Sequence, residues 1–361
     1  MAALPGPRGV HQLLGAFHLG DAVGNEALTI RRLLRQAGFA SDIFAGWREP
    51  RAADVRPLRA MGAVDSPQTV WLYHFSPGSP ATDAALSAAG RIVLAYHNVT
   101  PARWFLGWSP EMARLALRAP AELRALAGRG AVALAKSEFS RRDLDAAGFR
   151  ASAVLPFLHD PHPPEAPSPL LRGMYADGRA NLLCVGRLAP NKRIERVLAA
   201  FAVLQRGLLP HSRLLIVGER SLGPYVHALE RRARQLRLRE VVFLGHVEPD
   251  ELAACYQLAR VFVSLSAHEG YGVPLVEAMM AGVPVIACDA GAVAETLAGA
   301  GLLLPEDAGA ELVAALVSRV AEDAALRAAV LEGQRRVAER MRTADPQALL
   351  LSALAPALEA A

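Results

Sequence analysis

The sequence predicts an α/β protein built from two doubly wound, Rossmann-like domains facing a cleft. Three observations carry that prediction. Short apolar runs rich in β-branched residues alternate with helical patterns, which means mostly parallel sheets with helices on both faces. The alternation occurs as two series, and between them Pro156–Pro169 holds six prolines. Such a stretch is neither helix nor central strand, so it reads as an interdomain linker. The chain has 361 residues, 52% hydrophobic and 20% charged, long for one open sheet and comfortable for two. The expected domains are 1–160 and 161–345, followed by a C-terminal helix, 346–361, packing back on the first.

In the first domain, His11–Phe17 reads as a strand. The loop after it, HLGDAVGNEAL, turns on Gly20 and Gly24, and Asn25 is the expected N-cap of a helix Glu26–Gln36 that Gly38 ends. Strands are expected at Ser41–Ala45, Thr69–Phe75, Arg91–Tyr96, Ala131–Ala135 and Ala151–Leu155. Helices are expected at Thr82–Ala89, Ala102–Arg129 and Arg141–Ala147. Trp104, Phe105 and Trp108 sit early in the longest of these, either as core or as an aromatic surface for a sugar or lipid-linked acceptor.

The second series begins at Asn181. Its strands are Leu182–Val185, Leu214–Val217, Val241–Leu244, Val261–Leu265, Val283–Ala287 and Leu302–Leu304. From Ala310 onward the pattern is helical, with a break near Thr343–Pro346. No sequence repeat relates the two halves.

Composition narrows the classes. Cys184, Cys255 and Cys288 are far apart, have no metal-ligand spacing and read as small buried hydrophobes in a reducing, cytoplasmic compartment. No apolar run approaches the ~20 residues of a membrane span, and the amino terminus is a poor signal peptide. Net charge is +4: up to Glu165 there are 18 Lys/Arg and 14 Asp/Glu, and beyond it 21 of each. The excess in the first half suits a solvated basic surface, an acidic acceptor or the anionic inner face of a membrane. No dense basic run with interleaved aromatics supports nucleic-acid binding.

Three clusters carry chemistry. VGRLAPNKR, Val185–Arg193, places Gly186, Arg187 and Lys192 between a strand and a helix opening near Lys192. Two fixed cations and helix-terminal N–H groups make a pyrophosphate site. IVGE ends a strand at Gly218, where a base or phosphate can approach the backbone. The stretch HEGYGVPLVEAMMAGVPVIA is a strand-end loop, a helix with Pro274 in its first turn, and the next strand. Its carboxylates, Glu269 and Glu277, can lie on the order of 10 Å apart. That suits the two ends of a nucleotide-sugar, with the N–H groups of Tyr271–Val273 toward the phosphates. A glycoside hydrolase pair would straddle one bond and needs no phosphate cradle. No G-x-G-x-x-G follows a strand, so the dehydrogenase fingerprint is missing.

HEGYGVPLVEAMMAGVPVIA with GRLAPNKR upstream resembles the retaining glycosyltransferases of family 4, which have the GT-B fold. The likeness is dense in the second half and looser in the first, through GDAVGNEAL, YHFSPGSP and YHNVTP. It implies transfer of a sugar from a nucleotide-diphosphate donor, with retention, to a glycan, lipid-linked or small-molecule acceptor. It implies that Arg187 and Lys192 neutralise the leaving diphosphate without a metal or other cofactor. Glu269 would hold the donor sugar and Glu277 the ribose, with Gly186, Gly218, Gly270, Tyr271, Gly272 and Val273 completing the donor site. His97 would line the reaction centre. His74, Asn98, Gly20, Asp21 and Asn25 fall on the acceptor side. In place of the double glycine of many relatives stand Gly20–Asp21 and Gly24–Asn25, so Asp21 is expected to face the acceptor. Three alternatives remain: a nucleotide-sugar epimerase, a glycosyl phosphorylase, or a non-catalytic nucleotide-sugar-binding subunit.

Overall fold

The computed structural model describes residues 9–158 and 166–359. Within the expected linker, residues 159–165 lie outside the described residues, as do the first eight of the amino terminus. Two units divide the chain: Met1–Arg103, Glu111–Pro161 and Ala344–Ala361 form the first, Trp104–Pro110 and His162–Thr343 the second.

The first unit holds a sheet of seven parallel strands: β1 (Gly9–Phe17), β2 (Ile43–Arg48), β3 (Arg56–Pro57), β4 (Thr69–His74), β5 (Arg91–Tyr96), β6 (Val132–Ala135) and β7 (Ser152–Val154). Their order is β3-β2-β1-β4-β5-β6-β7. The second unit holds six parallel strands: β8 (Ala180–Val185), β9 (Ser212–Val217), β10 (Val241–Gly245), β11 (Ala259–Ser264), β12 (Val285–Cys288) and β13 (Leu302–Leu304). Their order is β10-β9-β8-β11-β12-β13. Helices on both faces bury the central strands, so β4 and β9 are buried along their whole length. Strand order reverses between β1 and β4 in one sheet and between β8 and β11 in the other. Ligands of open parallel sheets bind outside the carboxyl ends of strands at such reversals.

Several local expectations are corrected. The first helix is Ala22–Gln36, and its N-cap is Asp21, which accepts from the Gly24 N–H. A carboxylate at a helix start satisfies an orphan N–H and favours the dipole, so the chain enters the helix at Asp21 and not at Asn25. Asn25 is exposed within the first turn. Gly24 is helical, and glycine is required there because a Cβ would lie 2.2 Å from the His18 carbonyl oxygen. The span Ala102–Arg129 is broken: a 3-10 turn, Ala102–Trp104, is followed by Gly107 at φ 81 and then by the helix Pro110–Gly128. Near Lys192 the chain forms the 3-10 turn Pro190–Lys192, and the α-helix starts later, at Ile194. Pro169 opens a short helix, Pro169–Tyr175, that proline content conceals, since proline is tolerated at a first helical position. The tail has a second break at Asp323.

The last helix, Pro346–Glu359, places Leu350, Leu354 and Ala357 in one apolar cluster with Val10, Ile30 and Leu34. The Arg91 Nη1 donates to its Ala357 carbonyl at 2.7 Å. All three cysteines are free and buried. Among the described residues no helix is long and apolar enough to cross a membrane.

Candidate active site

At the reversal of the second sheet, β8 runs out at Val185 and Gly186 follows at φ 143, while Gly218 ends β9 at φ 150. A Cβ on Gly218 would lie 1.9 Å from the Gly186 carbonyl oxygen. The strand ends pass too close for any side chain at Gly218, and at Gly186 the positive φ itself favours glycine. Gly218→Ala is expected to destabilise the protein by roughly 2–4 kcal/mol. Denaturant unfolding measures this, and wild-type stability in the variant would contradict the close approach.

Beyond Gly186, the exposed Arg187 precedes the turn Pro190–Lys192. Arg193 closes that turn at φ 49. A side chain in this left-handed region costs roughly 1–2 kcal/mol. Its Nη2 bond to Glu306 Oε1 at 2.8 Å, and its guanidinium 5.2 Å from the Trp104 ring centre, offset that cost. The turn folds Lys192 back over Gly186, and Lys192 Nζ donates to Glu269 Oε1 at 2.6 Å. Lys192 and Glu269 side chains are only 20% and 12% exposed, so this is a largely desolvated ion pair.

The Glu269 loop is held from several sides. Asn191 accepts from the Ala267 N–H at 2.8 Å and its Nδ2 donates to the His268 carbonyl at 3.2 Å. The Ala292 N–H donates to the Glu269 carbonyl at 2.9 Å, and Gly291 passes so near that its Cβ would lie 2.3 Å from the same oxygen. Thr296 Oγ1 donates to the Tyr271 carbonyl at 2.6 Å. Gly272, at φ 96, then starts the helix Val273–Met280. Glu277 lies on that helix and accepts from the Tyr256 hydroxyl at 2.7 Å. Burial pushes its carboxyl pKa up, and the Tyr256 hydrogen bond opposes the shift.

The structure thus brings Gly186, Lys192, Gly218 and Glu269 to one reversal, with Gly270, Tyr271, Gly272, Val273 and Glu277 continuing from the Glu269 loop into its helix. Trp104 and Trp108 join this unit rather than a long helix: Trp104 stacks on Arg193, and the Trp108 ring meets Tyr225 edge-on with centres 5.1 Å apart. Phe105 is buried.

In the first unit the strand ends carry a buried polar network. His74, at the end of β4, bonds His97 through Nδ1 to Nε2 at 2.9 Å and Gln12 Oε1 through Nε2 at 2.9 Å. The planes of the His74 and His97 rings lie within 8° of each other, edge to edge across that bond. Glu26 Oε1 accepts from Lys136 Nζ at 2.7 Å and from the Leu158 N–H at 3.0 Å. Burial lowers the His74 pKa to about 3 and the His97 pKa well below its ordinary value, and Lys136 adds to both shifts. Burial raises the Glu26 pKa, with Lys136 opposing it. Ligand atoms of Glu26, His74 and His97 lie within 4.8 Å of one another. The Lys136 ammonium and the bond between the two histidines already engage these groups, so the trio does not fit a resident cation.

Gly20, at φ 82, turns the chain out of β1 toward Asp21. Asp21 directs its carboxylate at the Gly24 N–H of its own helix. Asn98 adopts φ 73, and its Nδ2 donates to Ser140 Oγ and Asp143 Oδ2, both at 3.2 Å.

The profile of the family described as "Glycosyl transferases group 1" matches residues 175–337. A GDP-mannose-dependent alpha-(1-6)-phosphatidylinositol monomannoside mannosyltransferase of Mycobacterium tuberculosis is 31% identical, over 80% of this chain and 79% of its own. The chain belongs to the group 1 glycosyl transferases. An alpha-monoglucosyldiacylglycerol synthase of Streptococcus pneumoniae is 36% identical to this glycosyl transferase over 31% of its chain, an alignment spanning 24% of the synthase. The solved sucrose-phosphate synthase of Thermosynechococcus elongatus superposes with a TM-score of 0.78 at 20% identity, covering 98% of this glycosyl transferase and 100% of that chain. The two parallel sheets with flanking helices are therefore the GT-B architecture.

Sequence reasoning missed Asn191, Tyr256 and Gly291 around the loops of Lys192 and Glu269, and Gln12, Glu26 and Lys136 in the first unit. One signal was available. Lys136 and Lys192 are the only two lysines among 39 basic residues. Each follows a strand end and each meets a glutamate.

Proposed function

We propose that this glycosyl transferase moves a hexosyl group from a nucleotide-diphosphate sugar to a glycan, lipid-linked or small-molecule acceptor with retention at the anomeric carbon. The observation that carries the reading is the Lys192–Glu269 pair at the reversal of the second sheet, beside the side-chain-free strand ends Gly186 and Gly218. A donor separates the pair usefully. Its phosphate oxygens take Lys192, and its sugar hydroxyls take Glu269. Arg187 supplies the second positive charge, and the ribose lies toward Glu277.

In the reaction the bond from the anomeric carbon to the diphosphate oxygen breaks, and the electron pair leaves with the diphosphate. Arg187 and Lys192 stabilise that charge, without a metal. The acceptor oxygen bonds to the same face, and a donor phosphate oxygen takes its proton. Acceptor recognition belongs to the first unit, around Gly20, Asp21, His97 and Asn98. Its helix Pro110–Gly128 exposes Arg114, Leu117, Arg118 and Arg124, a surface suited to an acceptor at an anionic membrane face.

A thermal-shift screen with GDP-, UDP- and ADP-sugars tests donor use. GDP-mannose is the first candidate, because the mycobacterial relative is named as dependent on it. A donor at 100 times its Kd should stabilise the protein by about 2.7 kcal/mol. NMR of the product from a labelled donor should show the donor's anomeric configuration, with acceptors supplied free or in anionic vesicles. No shift with any of the three classes sinks donor binding. An altered donor sugar without acceptor would indicate an epimerase instead.

A further inference from the structure

The hydrogen bonds around His97 fix where its protons sit. Gln12 Nε2 donates to the Ala27 carbonyl at 2.9 Å, which orients the amide so that Oε1 faces His74. A carbonyl oxygen only accepts, so His74 carries its proton on Nε2 and presents a bare Nδ1. His97 therefore donates from Nε2 and keeps a lone pair on Nδ1. That lone pair points at a second acceptor, Glu26 Oε2, 3.9 Å away. Neither His97 Nδ1 nor Glu26 Oε2 has a hydrogen-bond partner, although their side chains are only 10% and 1% exposed.

Two facing, buried acceptors are costly unless a donor joins them. Direct contact does not serve. A shared proton between carboxyl and imidazole needs about 2.6–3.0 Å, well short of the observed gap. A cation is opposed by Lys136 on the other oxygen of the same carboxylate. A water with hydrogen bonds of about 2.8 Å to both atoms would subtend roughly 90°, close to the angle between its own two hydrogens.

We propose that Glu26 is a positioning residue for His97, acting through one buried water that bridges Glu26 Oε2 and His97 Nδ1. The bridge completes a chain that runs from the Ala27 carbonyl through Gln12, His74 and His97 to Glu26 and Lys136. It holds His97 as the Nε2–H tautomer with its ring parallel to His74. The charged or titratable groups facing His97 are Glu26 from the first helix, His74 from β4 and Lys136 after β6. Both ring nitrogens are engaged inward, so His97 shapes the reaction centre and takes no proton from the acceptor. This consequence rests on the proposed function, and it leaves acceptor deprotonation to a donor phosphate oxygen.

Ring-nitrogen NMR of protein labelled with 15N-histidine tests the positioning role without reference to activity. The wild type should show His97 with a protonated Nε2 and an unprotonated Nδ1, unchanged between pH 5 and 8. In Glu26→Ala the bridge is lost, and His97 should show mixed tautomers or begin to titrate. In Glu26→Gln the side-chain amide can still hold the bridging water, whose hydrogen reaches Nδ1, so the wild-type pattern should return. An Nδ1–H tautomer or titrating His97 in the wild type overturns the proposal, as does an unmoved pattern in Glu26→Ala. Should Glu26→Ala fail to fold, a titrating His97 in Glu26→Gln overturns it equally. Transfer rates are the separate check on the underlying function. Glu26→Ala should lower kcat by on the order of tenfold to a hundredfold with donor KM unchanged. Displaced nitrogen signals with wild-type kcat would leave Glu26 positioning His97 and remove His97 from the reaction centre.

Discussion

Lys192→Ala is expected to lower kcat/KM by on the order of 10²–10³-fold while the protein remains folded. The loss follows from the role proposed for Lys192 at each stage. Before a donor binds, its ammonium neutralises Glu269 at 2.6 Å. In the proposed reaction it exchanges that carboxylate for donor phosphate oxygens, whose charge grows as the diphosphate leaves. Interactions that strengthen toward the transition state lower the barrier itself, so kcat should fall with kcat/KM. Glu269→Ala should be similarly damaging, because the proposed reaction places the donor sugar on this carboxylate, whose loop is anchored by Asn191 and Ala292. The pair also couples the two variants. Each single replacement strands a partly desolvated charge, so the double variant should be less destabilised than the sum of the singles. Steady-state kinetics and urea unfolding of the three variants measure both effects. Wild-type turnover in Lys192→Ala or Glu269→Ala would remove the assigned role.

Acidification should weaken the fold well before its carboxylates protonate. His74 and His97 are neutral and buried, with folded-state pKa values below the ordinary 6.5, about 3 for His74. Below pH 6.5 the unfolded chain takes up protons at both side chains that the folded chain refuses. Their contribution is complete above pH 6.5 and is lost as pH falls toward the folded pKa. His74 should cost about 2 kcal/mol at pH 5, and His97 adds a loss in the same direction. That is a large part of a net stability of about 5–15 kcal/mol. Urea unfolding at pH 7.5 and pH 5 measures the loss, and His74→Gln should show a shallower slope. A stability that is flat over this range would mean that the two imidazoles accept protons in place.

Legibility followed periodicity. Strand β5 and the short strand β13 were read to the residue, because apolar runs of β-branched and leucine side chains announce buried parallel strands. Helix starts were harder. Asn25 and Asp21 are both good caps, and only the close pass of Gly24 under the His18 carbonyl decides for Asp21. The span 102–129 looked helical because its composition is; Gly107 at positive φ and Pro110 break it. Around the candidate site, the glycines and charges of GRLAPNKR and HEGYG stood out as residue types. Their supports did not. Asn191, Tyr256 and Thr296 are ordinary residues whose importance arises from neighbours distant in sequence.

Two things were therefore determined by sequence alone: the alternation that yields two parallel sheets, and the residue types that suit a diphosphate and a sugar. Both are local, since strand and helix periods and the chemistry of a side chain travel with the segment. Pairing was decided by tertiary structure. Lys192 and Glu269 are 77 positions apart and meet because strand order reverses between β8 and β11. Glu26 and Lys136 are 110 apart and meet at the carboxyl ends of the other sheet. A charge on a surface is cheap in water, whereas the same charge out of water must find its opposite. Which lysine serves which carboxylate is thus fixed by strand order, a property that no single stretch of the chain contains.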